Sequence, residues 1–457
     1  MSLTSIAFLI AFFGGLLASL LRNPAYGLYT YIAVFYLHPP DRWWGEMLPD
    51  LRWSLLAAFV TLISLWRVSP IPDRPSWLQN NAAAIFLVFV GWFWIQLAWA
   101  LDTNMQLEAA VLFTKYALLV YLIYVIVRTE DIFRNVLLVH VLGCLFLAWI
   151  IFVTPESGRL DGRFDGVGGP GIDDANSLAM QLSTGLLAAS ALLLRSSLRI
   201  RLIALAASPL IVNGIIQTLS RGSVLGLVAG GLVMLLYAPQ HFRRAYYALG
   251  LLGLLILLQM APAKFWERVA SIADPTRSEQ VVEVDKSTLA RFALAESQLE
   301  MAIDYPFGAG HRGTADLSPR YLSEEYLAKS ESGEALGTRS SHNTFLSVLV
   351  EHGVFGALLF ICLLVSAFRQ LRQLRELDAA GLPEALGLYR ATIAGTIASV
   401  LIAGIFTDYL KAEVFVWFLG LLAALYELSP RALQTPAPVE PPEPEELLEA
   451  PRRRARR

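Results

Sequence analysis

Six histidines and a scatter of arginines carry most of the chemistry available to this 457-residue chain. His342 stands in Arg339-Ser340-Ser341-His342-Asn343, where a long polar stretch gives way to an apolar run. Imidazole ionises near neutral pH, with an unperturbed pKa of about 6.5, so a histidine placed there can accept a proton from a hydroxyl as a general base. The plainer reading is an interfacial histidine with no role. Arg221 opens an apolar segment in Leu219-Ser220-Arg221-Gly222-Ser223, Arg312 lies in Gly310-His311-Arg312-Gly313, and Arg339 precedes the histidine. Arg291 sits on an expected loop helix and Arg163 in a glycine-rich loop. Guanidinium groups bind phosphate oxygens bidentately, so such a cluster at a membrane surface suits a lipid pyrophosphate. The alternative is surface arginines paired with the many local carboxylates. That alternative is weakest for Arg221, because a charge at a helix mouth in a very short loop is costly without a partner.

Two strings, Gly166 to Gly171 and Gly308 to Gly313, fit G-x-G-x-x-G. Neither follows a strand, which excludes a dinucleotide fingerprint and leaves a flexible turn or a backbone approach to phosphate. Asp408, in Phe406-Thr407-Asp408-Tyr409, can orient a histidine, pair with an arginine or cap an interfacial turn. Asp41 and Asp50 lie in a first loop rich in Pro and Trp, where an interfacial turn competes with a metal-binding catalytic acid. Glu351 and His352 fall within an apolar run and must face protein or water. Cys144 and Cys362 give neither a disulfide framework nor metal-ligand spacing. No P-loop, HExxH or GxSxG motif is present.

The elements that must position these residues are membrane helices. Hydrophobic residues make up 56% of the chain and charged residues 16%, against about 25% charged in soluble domains. The mean hydropathy is +0.53. The formal net charge of −2 gives no basic excess for nucleic-acid binding. Segments near 3–21, 25–38, 53–66, 81–100, 107–127, 133–153, 175–194, 200–218, 222–238, 245–262, 343–368, 389–407 and 412–428 are candidates to span, giving 12 or 13 crossings in an all-α polytopic protein. The first of them has no charged flank before it and reads as a retained helix.

Arginine recurs in every second loop, including Arg67, Arg128, Arg195, Arg243 and Arg369, and again at the C-terminus. The positive-inside rule puts that side, with the Pro/Glu-rich tail at 429–457, in the cytoplasm. The opposite face carries loops 39–52, 154–174 and 263–342. The last divides the chain into N-terminal helices (1–262), a loop subdomain (263–342) and C-terminal helices (343–428). Within it, Ser287 to Ala302 is expected to be helical, with Ser287 as N-cap and Pro306 as terminator.

Taken in order, Ser220-Arg221-Gly222, a long loop with Arg291, Tyr305-Pro306-Phe307-Gly308-Ala309-Gly310, Ser341-His342-Asn343-Thr344 and Glu351-His352-Gly353-Val354-Phe355-Gly356 resemble the O-antigen ligase family. Asn23-Pro24 and His38-Pro39-Pro40 resemble its exosortase-associated O-glycosylation ligase subgroup. The resemblance covers roughly residues 160–410. It implies a GT-C-like, cofactor-free glycosyltransferase of the Gram-negative inner membrane. Such an enzyme moves a polysaccharide from undecaprenyl diphosphate to lipid A–core oligosaccharide on the periplasmic face. It further implies His342 as the base and Arg221 and Arg291 at the pyrophosphate, beside which the arginine cluster itself points to Arg312, Arg163 and Arg339. Asn343, Asp408, Asn176 and Ser220 are expected to support them, and no metal is expected. The same donor chemistry fits an O-antigen polymerase or a protein O-glycosylation ligase. A lipid-linked saccharide transporter is the rival of another class, with His140, Glu351 and His352 along a path, and a metal-dependent transferase would use Asp41 or Asp50.

Overall fold

The structure, a computed structural model, describes residues 2–72, 74–154, 164, 166–169, 171, 172, 174–261, 266, 281–327 and 337–434. Among these the chain is all helical. The first ten α-helices are α1 (Leu3–Leu21), α2 (Ala25–Leu37), α3 (Trp53–Leu65), α4 (Asn81–Ile95), α5 (Thr103–Ile126), α6 (Glu130–Val153), α7 (Ala175–Leu194), α8 (Leu198–Gln217), α9 (Arg221–Tyr237) and α10 (Arg243–Met260). Two helices of the long loop follow, α11 (Val281–Asp304) and α12 (Gly313–Tyr321). The bundle closes with α13 (Thr344–Glu376), α14 (Glu384–Ala403) and α15 (Glu413–Gln434). Among the described residues ten stretches are long and apolar enough to cross a membrane, and α3 and α9 are apolar but shorter. The protein is a polytopic α-helical membrane protein.

Hydrocarbon forces every backbone polar group to be satisfied within the segment, so the apolar runs become helices almost where composition places them. The loop helix differs from expectation. It begins at Val281, so Ser287 lies inside it, and it ends at Asp304, two residues before Pro306.

α14 is the buried centre of the bundle. Its small residues let α9 approach it backbone to backbone. A Cβ on Gly226 would stand 2.6 Å from the Ser399 carbonyl oxygen, and one on Gly230 2.6 Å from that of Gly395. Gly222 continues the four-residue spacing, and its Cβ would meet Phe406 at 2.9 Å. This glycine stripe seats α9 along α14 and fixes its first turn beside the α14–α15 connection.

Polar groups inside the bundle answer one another. Tyr36 bonds His140 and receives Gln181, and Thr184 meets the other His140 ring nitrogen at 3.2 Å. A buried Arg390 is held by both oxygens of Asp378, at 2.6 and 2.8 Å, near the opposite end of the bundle from α11. His140 is thereby enclosed in a core network, which gives it a packing role.

Candidate active site

Four helices begin at the end of the bundle that carries α11 and α12, each with a side-chain cap: Asp102 on α5, Asp174 on α7, Ser220 on α9 and Asn343 on α13. Each cap accepts from first-turn amides that would otherwise lack partners. The caps also reach one another. Ser220 Oγ donates to Asn176 Oδ1 at 2.9 Å, and Ser223 Oγ donates to the Asn176 carbonyl at 3.0 Å. Asn176 and Ser220, far apart in sequence, thus lock the starts of α7 and α9 together. Leu219 takes a left-handed φ of 54° to make the sharp entry into α9, and Arg221, half-buried, is the first residue of that helix.

The start of α13 is stitched to the turn before α15. Asn343 Oδ1 accepts from the Phe345 and Leu346 amides at 2.9 and 3.0 Å, while its Nδ2 donates to the Ile405 carbonyl at 3.2 Å. Thr344 Oγ1 donates to the Thr407 carbonyl at 3.0 Å and accepts from the Tyr409 amide at 2.8 Å. One turn on, Ser347 Oγ donates to Asp408 Oδ2 at 2.7 Å, and Asp408 Oδ1 accepts from the Leu410 amide at 3.0 Å. Burial, followed by the nearby Glu351 charge, raises the Asp408 carboxyl above its ordinary range. Residues 405–408 therefore touch the Arg221 end of α9 through Phe406 and the His342 end of α13 through Ile405.

α11 supplies the third side. Gln298 Nε2 donates to Ser341 Oγ at 3.0 Å, and Ser341 in turn donates to the Asn343 carbonyl at 3.0 Å. Arg291 lies seven residues before Gln298, hence on the same face and roughly 10 Å along the axis. The Arg339 amide donates to Ser318 Oγ of α12 at 2.7 Å. His342, half-buried, is held between Ser341 and Asn343, each fixed to a different element.

The Gly308–Gly313 string turns out to be a joint. α13 is broken at Gly353, with φ 67° and ψ −172°. The loop inserts there: the Ala309 and Gly310 amides donate to the Val350 and Glu351 carbonyls, both at 2.9 Å, and the Val354 amide donates to the Pro306 carbonyl at 2.9 Å. Cβ atoms on Gly308 and Gly353 would stand 2.5 and 2.4 Å from opposing backbone, so glycine is required at both. Those amides are consumed within the joint, which favours the structural reading of this string. Arg312 has a left-handed φ of 63° and gives its amide to Glu351 Oε2 at 3.0 Å. Its guanidinium extends towards Met105 at the start of α5, Nη1 to Sδ 3.9 Å. Arg312 thus belongs to the joint side of this end.

The first glycine string also packs as a turn. Arg42 Nη1 donates to the Val167 carbonyl at 2.8 Å, and a Cβ on Gly169 would meet the His38 ring at 2.7 Å. Asp41 pairs with His38 at 2.8 Å, and Asp50 lines a cavity of about 410 Å³ with Lys115, Arg52 and Glu413. Arg163 lies outside the described residues. A second hollow, of about 650 Å³, is lined by Trp92, Trp99, Tyr305, Phe307 and Phe355 beside the joint. Sequence reasoning missed Gln298, Ser341 and Ser347 as positioning residues; isolated amides and hydroxyls at the ends of apolar runs were the available signal.

Residues 206–361 match the family model described as O-Antigen ligase. That stretch runs from within α8 past the break in α13, and it includes Arg221, Arg291, Arg312, Arg339 and His342. Over that stretch the chain is similar to a family associated with O-antigen ligation or the related polymerisation, which suggests a lipid-linked polysaccharide as substrate in a membrane. A comparison with curated proteins finds no match.

Proposed function

With an O-antigen ligase domain at residues 206–361 as the premise, we propose that the protein is itself an O-antigen ligase. It moves a polysaccharide from undecaprenyl diphosphate to lipid A–core oligosaccharide, on the periplasmic face of a Gram-negative inner membrane, with its C-terminus in the cytoplasm. The observation that carries this reading is the 405–408 turn, which packs on Gly222 beside Arg221 and bonds Asn343 beside His342. The residues proposed as base and as phosphate-binding cation thereby flank one element at one end of the bundle.

In this mechanism a hydroxyl of the acceptor attacks the anomeric carbon of the donor sugar. His342 takes the hydroxyl proton as the new C–O bond forms. The bond from the anomeric carbon to the pyrophosphate oxygen breaks on the opposite side, and the anomeric centre inverts. The leaving pyrophosphate is already activated, so no nucleotide is needed. Arg221 and Arg291 stabilise the charge that grows on it, with Arg339, Arg312 and Arg163 as further cations along the lipid headgroup path. These guanidinium groups supply the positive charge of the reaction, so metal independence of the chemistry is part of the proposal. Ser220 and Asn176 position Arg221, and Asn343 and Asp408 position His342.

The test is transfer by the purified protein from an undecaprenyl-diphosphate glycan to lipid A–core, comparing wild type with His342→Ala. The expected result is product with wild type and a loss of about 10²-fold or more with the variant. Near-normal transfer by a folded His342→Ala would overturn the base assignment. Longer lipid-linked chains would identify a polymerase, and transfer only to a protein hydroxyl an O-glycosylation ligase.

A further inference from the structure

The joint between the outer loop and the broken helix holds three ligand-type side chains that the proposed chemistry does not use. His311, Glu351 and His352 each present a nitrogen or carboxylate oxygen, and all of these atoms lie within 4.8 Å of one another. His311 Nδ1 stands 3.2 Å from Glu351 Oε2. All three residues are buried, at 8%, 5% and 0% exposure.

The hydrogen bonds around His352 settle which of its nitrogens is bare. Gln96 Nε2 donates to the Glu351 and Phe307 carbonyls, at 3.0 and 3.2 Å. The Gln96 oxygen is therefore the atom that faces His352 Nδ1, at 2.8 Å. An amide oxygen only accepts, so Nδ1 carries the proton. In the neutral ring Nε2 then holds a lone pair, and that atom is fully buried with no hydrogen-bond partner. A metal-binding histidine is oriented in this way, with one nitrogen donating to a fixed oxygen and the other left to the ion. Glu351 is similarly steadied, because Oε2 accepts the Arg312 amide at 3.0 Å. The His311 backbone is fixed by Gln106 Oε1, which accepts its amide at 2.7 Å.

We propose that His311, Glu351 and His352 form a divalent transition-metal site of the Zn²⁺ class that clamps the outer loop to the break in α13. Two imidazoles and a carboxylate suit Zn²⁺ and its neighbours, whereas Ca²⁺ and Mg²⁺ require oxygen ligands. Ligands about 2.0–2.2 Å from a tetrahedral ion stand roughly 3.3 Å apart, close to the His311–Glu351 separation. Asp316 lies near Glu351 and His311 and adds negative potential at the approach, with Asp102 and Arg312 also close to it. The role is structural. The ion joins residue 311 of the loop to residues 351 and 352 of the helix across one glycine hinge, and it answers the lone pair that the His311–Glu351 pair leaves unmet.

The experiment uses full-length protein in detergent, purified without a polyhistidine tag, stripped with EDTA and then dialysed against Zn²⁺ or Co²⁺. One equivalent of metal per chain is expected by elemental analysis, with the intense visible absorption of a four- or five-coordinate Co²⁺ centre. Zn²⁺ is expected to raise the unfolding temperature of wild type in a concentration-dependent way. His311→Ala and His352→Gln are expected to lose the Co²⁺ band and the Zn²⁺ shift. A wild type that retains no stoichiometric metal, or that shows only the weak spectrum of hydrated Co²⁺, overturns the proposal, as do folded variants that bind as much metal as wild type. The wild-type spectrum alone decides the matter if the variants fail to fold. None of these readouts depends on glycan transfer.

Discussion

Gln298 of α11 and Ser341 of the loop meet side chain to side chain at 3.0 Å, and through that bond the helix bearing Arg291 is held against the residue next to His342. Ser341 passes the constraint on by donating to the Asn343 carbonyl. Both side chains are buried, and Ser341 Oγ keeps its bonds to the Asn343 backbone when Gln298 is removed. Gln298→Leu is expected to cost about 0.5–1.5 kcal/mol of stability. Transfer should fall about tenfold or more, with kcat affected more than KM, because the base and the cation lose their fixed separation. Thermal unfolding in detergent and steady-state transfer on the same preparation check both. Unchanged kcat in a destabilised but folded variant would show that the contact only supports the fold.

Arg221 is expected to be irreplaceable by lysine. A planar fork at the first turn of α9 can take two oxygens of one phosphate, whereas an ammonium offers a point charge. Arg221→Ala should lower transfer by about 10²–10³-fold, and Arg221→Lys should recover only part of that. Equal activity of the lysine variant and wild type would remove the bidentate role.

Gly353→Ala tests the joint. The residue has φ 67°, and a Cβ there would stand 2.4 Å from the Phe307 carbonyl carbon. Backbone strain and overlap together are expected to cost about 3 kcal/mol or more. The readout is the yield and unfolding temperature of the detergent-purified variant. An alanine at Gly250, where a Cβ meets nothing within 4 Å, is the control expected to change little.

Asp408 carries a pH signature. Its folded carboxyl is raised above the reference value of 3.8, chiefly by burial. The protonated form is therefore favoured by folding, and its contribution is fully present below the unfolded pKa and lost as pH rises through the folded one. Asp408→Asn is permanently neutral, so its unfolding temperature relative to wild type should improve between about pH 4 and neutrality. A constant difference across that range would contradict the shift.

The sequence by itself determined the helices. Thirteen apolar runs became thirteen helices, because a chain in hydrocarbon must satisfy its amides locally, and composition reports that directly. The caps at Ser220 and Asn343, and the glycine spacing at 222, 226 and 230, are each a property of one short segment, but their roles were not read from the sequence. What the tertiary structure decided are the pairings across distance. Gly353 reads as an ordinary small residue inside an apolar run until Phe307 and Gly308 pack into it and break the helix. The bonds of Asn343 to Ile405, Ser220 to Asn176 and Gln298 to Ser341 join residues 43 to 62 positions apart. Each uses a generic amide, hydroxyl or carbonyl that could have met many partners. Only the packing of α9 on α14, and of the loop into α13, brings these groups within reach, because close contact between distant segments is set by how whole helices fit and not by the local run of side chains.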